Sequence, residues 1–133
     1  MDDAYHMAAV NERGNILHMD NTPEGGGSGA GFGPMQTLLA ALGGCSSFDV
    51  VSILKKQRQP LKDIKITVTG EREPNATPPS LYQTVHAHFK LFGSIDPDKA
   101  EKAVTLSIEK YCSVAMTLMK SGAKVTYSFE VIG

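Results

Sequence analysis

A chain of 133 residues with 41% hydrophobic content has the size and composition of one globular domain, residues 1–133, rather than of a disordered segment. Its formal net charge of -1, with no block of Lys and Arg, argues against nucleic acid as a partner. The opening Met1-Asp2-Asp3 has no basic region and no apolar core behind it, and Ser46, Ser47 and Asp49 interrupt the longest apolar stretch, so neither a secretory leader nor a membrane span is expected.

In chain order, Tyr5 to Val10 reads as a strand, Asn11-Glu12-Arg13-Gly14-Asn15 as turn chemistry, and Ile16 to Met19 as the returning strand of a hairpin. The glycine-rich run from Asn21 to Gly33 has no Gly-x-Gly-x-x-Gly spacing and no Gly-Lys-Ser/Thr after it, so it reads as a flexible connector rather than a phosphate cradle. Pro34 suits the first turn of a helix expected to run from about Met35 to Gln57, with Lys55, Lys56 and Arg58 near its end and Pro60 as its stop. The segment is too apolar for a surface helix and too long for a strand, which predicts a buried core helix.

Ile64 to Thr69 alternates strictly and predicts a strand. The loop Glu73–Ser80 follows. A second strand turns Val85, Ala87, Phe89 and Leu91 inward and His86 and His88 outward. Two histidines on one strand face are too few ligands for a metal site, and an exposed sheet face is the simpler reading. Asp96-Pro97 has the form of an N-cap followed by proline at the first helical position. The predicted helix buries Ala100, Ala103, Val104 and Ile108 and reaches about Tyr111. A short continuation capped by Ser113 passes Met116 and Met119 and closes at Gly122. Lys124 to Val131 is the last strand, burying Val125, Tyr127, Phe129 and Val131.

The chemistry-bearing residues are two cysteines, one on each of two core elements. Cys45 follows the adjacent Gly43 and Gly44, each costing about 1 kcal/mol against Ala in a helix interior. Such a pair points to a kink, a close backbone approach or access to the sulfur. Two cysteines without a secretory signal favour a reducing compartment, the cytoplasm, where paired thiols are more often catalytic than structural. The plainer alternative is two unrelated buried thiols, and the residue counts alone leave both open. No serine has the Gly-x-Ser-x-Gly context of a nucleophile.

The run Pro34 to Cys45, continued by Asp49-Val50-Val51-Ser52-Ile53-Leu54-Lys55-Lys56, resembles the first cysteine motif of the OsmC/Ohr family, the osmotically inducible and organic hydroperoxide resistance proteins. Ser107-Ile108-Glu109-Lys110-Tyr111-Cys112-Ser113-Val114 resembles its second. The order of hairpin, glycine-rich loop, long helix, strands, helix and final strand is similar along nearly the whole chain. The resemblance implies an α+β fold: an intertwined homodimer with two long central helices per subunit, wrapped by antiparallel β-sheets. It implies thiol-dependent reduction of hydroperoxides, with Cys45 as the peroxidatic thiolate and Cys112 as the resolving thiol. An external dithiol then reduces the resulting disulfide, and no metal or other cofactor is required.

The family's peroxidases carry a Glu nine residues before the first cysteine, paired with an arginine from the N-terminal region. Here that position is Gln36, and Arg13 is the only arginine before the first cysteine motif. The dithiol is kept while its activating ion pair is not. Two other readings therefore stand beside the peroxidase: a different thiol chemistry on persulfides or other electrophiles, and a non-enzymatic dimer binding a small hydrophobic ligand. Leu42, Phe48, Val114 and Met116 are expected to surround the sulfurs with apolar surface, favouring organic hydroperoxides over hydrogen peroxide.

Overall fold

The computed structural model describes residues 4–74 and 77–133. The sequence readings that fall on Met1-Asp2-Asp3, and on Asn75 and Ala76 of the Glu73–Ser80 loop, lie outside the described residues. The chain divides into two compact units, Met1–Leu38 and Leu39–Gly133.

In the first unit, β1 (Met7–Val10) pairs antiparallel with β2 (Ile16–Met19), Val10 facing Ile16 across the turn. The Asn11 side chain organises that turn by accepting the backbone N–H groups of Arg13 and Asn15. The hairpin buries little of its apolar surface, leaving Val10 63% and Ile16 60% exposed. The glycine-rich run is more ordered than a flexible connector. The Asp20 carboxylate, buried at its core, accepts the backbone N–H groups of Asn21, Ser28 and Ala30 and the Ser28 hydroxyl. These donors, the Ala30 amide foremost, hold Asp20 below the usual carboxylate range against the opposing effect of burial. A single 3-10 turn, Pro23–Gly25, is capped by the Thr22 side chain.

Helix α1 (Pro34–Lys56) starts in the first unit and runs through the second. At its start the Gln36 side chain reaches back to accept the Gly33 backbone N–H at 3.0 Å, one half of a capping box. The helix is continuous through Gly43 and Gly44, so the glycine pair makes no break. A Cβ on Gly43 would lie 3.4 Å from Val68 Cγ2, while a Cβ on Gly44 would meet nothing within 4 Å. The pair therefore combines a close approach to a strand with an open face. Of the whole helix, Leu42, Ser46, Val50 and Leu54 are buried, a single stripe at i, i+4 spacing. The helix is also long and apolar enough, by length and composition, to cross a membrane, contrary to the sequence expectation. A core helix of this composition passes the same test.

The second unit contains a three-stranded sheet in the order β3-β4-β5, with β3 at Asp63–Arg72, β4 at Tyr82–Phe92 and β5 at Lys124–Ile132. β3 and β4 are antiparallel, whereas β4 and β5 are parallel. That corrects the expectation of purely antiparallel sheets. Two strands that run the same way need a crossover between them, and the helical segment between Phe92 and Lys124 supplies it. Val85, Ala87, Phe89 and Leu91 are fully or almost fully buried, as the alternation predicts. β5 is only half-buried at Val125, Tyr127, Phe129 and Val131. On the polar face of β4, His86 bonds the hydroxyls of Thr126 and Ser128, and His88 bonds Ser128 and lies 3.5 Å from Glu130.

The second expected long helix is three pieces. α2 (Pro97–Leu106) begins with Asp96 accepting the Asp98 N–H and buries Ala100, Ala103 and Val104. A π turn, Ser107–Tyr111, follows, closed by the Cys112 N–H on the Ser107 carbonyl at 2.7 Å. The chain then turns extended at Cys112 and restarts as α3 (Ser113–Lys120), which buries Ala115 and Leu118. Gly122, at φ 106°, closes α3 as expected.

Candidate active site

The two thiols come together although 67 residues separate them. The Cys45 and Cys112 sulfurs and a carboxylate oxygen of Asp49 all lie within 4.8 Å of one another. Both cysteines are free. Cys45 and Asp49 are i and i+4 on α1, so the helix presents them side by side, flanking the buried stripe. Cys45 is half-buried, whereas Cys112 is 2% exposed.

Local backbone geometry delivers Cys112. Its N–H is taken by Ser107 across the π turn, a widened turn of a kind that recurs at functional sites. Its sulfur then becomes the N-cap of α3 by accepting the Ala115 N–H at 3.4 Å. The sequence expectation gave that cap to Ser113, which is instead the first helical residue.

Burial pushes the Cys112 thiol up to about 11. The Ala115 N–H works against that shift, the hydrogen bond and charge of Cys45 add to it, and the Val114 N–H opposes it weakly. Burial wins, so at neutral pH Cys112 holds its proton.

Ser107 was not singled out by the sequence. It is fully buried, and its hydroxyl lies 3.1 Å from the Ser46 carbonyl and 3.2 Å from Asp49 Oδ2. It ties the π turn to α1 at the level of the two sulfurs. Its place three residues after Val104 and four after Ala103, on the face expected to be buried, was the available signal, since a buried hydroxyl must find an acceptor. Among the described residues, two thiols and one carboxylate could offer a metal ion three ligands, fewer than the four that close a structural zinc site and as many as a catalytic one uses. The cluster is a dithiol with an adjacent carboxylate.

The residues expected to surround the sulfurs differ in burial. Leu42 is fully buried, but Phe48 is 76% exposed and Met116 41% exposed. Gln36 spends its carbonyl on the Gly33 amide, and Arg13 sits in the β1–β2 turn. Both belong to the first unit, while Cys45 and Cys112 belong to the second.

A buried thiol beside a half-buried one, on an α+β scaffold of this element order, defines a dithiol protein. The chain belongs to the OsmC-like protein family, whose profile matches residues 25–128. It is 46% identical over 100 residues to Protein YhfA of Escherichia coli K12, covering 74% of this chain and 72% of that protein. It is similar to the crystal structure of a hypothetical protein from Aquifex aeolicus VF5, at a TM-score of 0.72 and 34% identity over 98% of this chain and 97% of the other. An organic hydroperoxide resistance protein OsmC from Legionella pneumophila shares the fold at a TM-score of 0.67, with 18% identity over 94% of each chain.

Proposed function

We propose that this chain is a single OsmC-like domain that works as a thiol-dependent peroxidase on organic or small hydroperoxides. The observation that carries the reading is the pair of free sulfurs within 4.8 Å on separate elements. A disulfide needs Cα atoms within roughly 7 Å and converging Cβ vectors, and sulfurs already this close need little movement to bond. Cys45, the more accessible thiol, attacks the peroxide O–O bond as its thiolate, becomes a sulfenic acid and releases alcohol or water. Cys112, buried behind it, condenses with that sulfenic acid to a disulfide. An external dithiol restores both thiols by exchange. A reducing cytoplasm is the compartment that would keep such a dithiol ready to react.

The reading includes a homodimer. In the single chain the face of α1 opposite its buried stripe is apolar and open, with Phe48 76% and Val51 40% exposed. The hairpin likewise exposes Val10 and Ile16. A second copy covering these surfaces removes both exposures, and a membrane partner is not needed to explain α1.

Mass spectrometry after one equivalent of an organic hydroperoxide tests the reaction. Loss of two hydrogens with Cys45 joined to Cys112 supports it. Gln36, engaged at the helix cap where the family's peroxidases carry Glu, keeps a second reading in view, in which the same dithiol handles persulfides or other electrophiles. A sulfur adduct from a persulfide donor, without disulfide from hydroperoxide, favours that chemistry. Modification by neither points to a dimer that binds a small hydrophobic ligand.

A further inference from the structure

The dithiol by itself does not account for Asp49, whose carboxylate stands within 4.8 Å of both sulfurs. The groups facing that carboxylate are Cys45 from α1, Cys112 from the start of α3 and the Ser107 hydroxyl from the π turn. Cys112 must lose a proton as it attacks, because the thiolate is the nucleophile in disulfide formation. It is 2% exposed, so bulk water has little access to take that proton. Burial also holds the thiol in its protonated form at neutral pH.

We propose that Asp49 is the proton acceptor for Cys112 during disulfide formation, and that Ser107 is the positioning residue that holds the carboxylate beside the two sulfurs. Ser107 has this role from both of its polar ends. Its carbonyl accepts the Cys112 N–H at 2.7 Å, and its hydroxyl lies 3.2 Å from Asp49 Oδ2. Its one hydroxyl proton is shared between Asp49 Oδ2 and the Ser46 carbonyl at 3.1 Å, so one buried residue holds the backbone of the attacking thiol and ties its base in place on α1. The fully buried environment of that hydroxyl also keeps water from competing for it.

The proposal rests on the dithiol reading above and adds no oxidant to it. As the Cys112–Cys45 S–S bond forms, the S–O bond of the Cys45 sulfenic acid breaks. The Cys112 proton passes to Asp49 and from it to the departing hydroxide, which leaves as water. Asp49 ends the step as it began, a carboxylate.

A peroxide-independent measurement separates this proposal from the peroxidase reading. Dithiobis-nitrobenzoate places an aromatic thiol on the accessible Cys45, releasing one coloured thiolate. Attack by Cys112 then breaks that mixed disulfide, forms Cys45–Cys112 and releases a second. Asp49→Asn should slow the second release, taken relative to the first in the same protein, about tenfold or more at neutral pH, the scale of general-base assistance. The deficit should shrink as pH rises toward about 11 and more of Cys112 is ionised before it attacks, with no base needed. Asp49→Glu should recover part of the rate, and Ser107→Ala should give a smaller deficit with the same pH dependence. Wild-type closure by Asp49→Asn overturns the proposal, as does a deficit that is constant with pH. Should Asp49→Asn fail to fold, wild-type closure by folded Ser107→Ala overturns the positioning arrangement. Slow closure in Asp49→Asn, together with no disulfide from hydroperoxide in the wild type, upholds Asp49 and removes the peroxidase reading.

Discussion

The Cys112 sulfur accepts the Ala115 backbone N–H at 3.4 Å, so the buried thiol doubles as the N-cap of α3. Serine is among the best N-cap residues, and loss of a cap to Ala costs about 1 kcal/mol. Cys112→Ser should therefore melt at or above the wild-type temperature, while Cys112→Ala should melt below it. Calorimetry under reducing conditions checks both. A Cys112→Ser protein that unfolds well below Cys112→Ala would show that the sulfur is held by packing rather than by its cap.

The same thiol makes stability depend on alkaline pH. An unfolded cysteine ionises near about 8.5, while the folded Cys112 is pushed up to about 11. Between those values the folded state holds a proton that the unfolded state has lost, so stability falls as pH rises. The contribution is fully present below about 8.5 and is lost as pH climbs to about 11. Denaturant midpoints measured across that window should drop more in the wild type than in Cys112→Ser.

The two cysteines should separate kinetically. Cys45→Ser should consume no hydroperoxide, because no accessible thiolate remains. Cys112→Ser should permit one turnover and leave Cys45 as a sulfenic acid or an overoxidised form. Trapping with a dimedone-type reagent distinguishes the two. A Cys112→Ser protein that turns over repeatedly with an external dithiol would remove the proposed resolving role from Cys112.

Gln36 accepts the Gly33 N–H at the start of α1, where a carboxylate is favoured by both the capping geometry and the helix dipole. Gln36→Glu should raise stability by about 0.3–1 kcal/mol, less at high salt. It should leave peroxide reactivity within about tenfold, a barrier change below about 1.4 kcal/mol. A larger gain would show that an arginine already stands ready to pair with it.

Phe48 is the most exposed large apolar side chain of α1, at 76%. If a second copy covers it, Phe48→Glu should break an obligate interface of more than roughly 2,000 Å². Sedimentation should then show monomer or aggregate where the wild type gives a dimer. Gly44, on the open face of the same helix, offers a finer probe. A methyl group added there meets nothing within 4 Å, so Gly44→Ala should add about 1 kcal/mol of helix stability unless a partner helix approaches closely.

Periodicity made most of the fold legible. The strict alternation in β4 placed Val85, Ala87, Phe89 and Leu91 in the core, and Asp96-Pro97 marked the start of α2, because both signals are local. The parallel pairing of β4 with β5 was hidden, since strand direction is set by a crossover and not by any residue in the strands. Of the site, residue counts and spacing named the two thiols, and only the family resemblance paired them. Their approach depends on a π turn, and nothing in Ser107-Ile108-Glu109-Lys110-Tyr111 distinguishes a wide turn from an ordinary one. The spacing of Ser107 after Ala103 and Val104 marks it as buried, but its partners, Ser46 and Asp49, are set by tertiary packing.

The parallel β4–β5 pair also orders events in time. β4 cannot gain its second neighbour until the whole segment from Phe92 to Lys124 has emerged and folded back, and non-local pairings of this kind close late. Cys112 rides on that segment, while Cys45 lies on a helix complete by Lys56. During synthesis from the N-terminus, the helix bearing the accessible thiol is therefore available well before its neighbour can be set in place. Until Cys112 has been made and set in place, Cys45 has no second thiol of its own chain beside it, and pairing of the last strand, Lys124–Ile132, closes that interval.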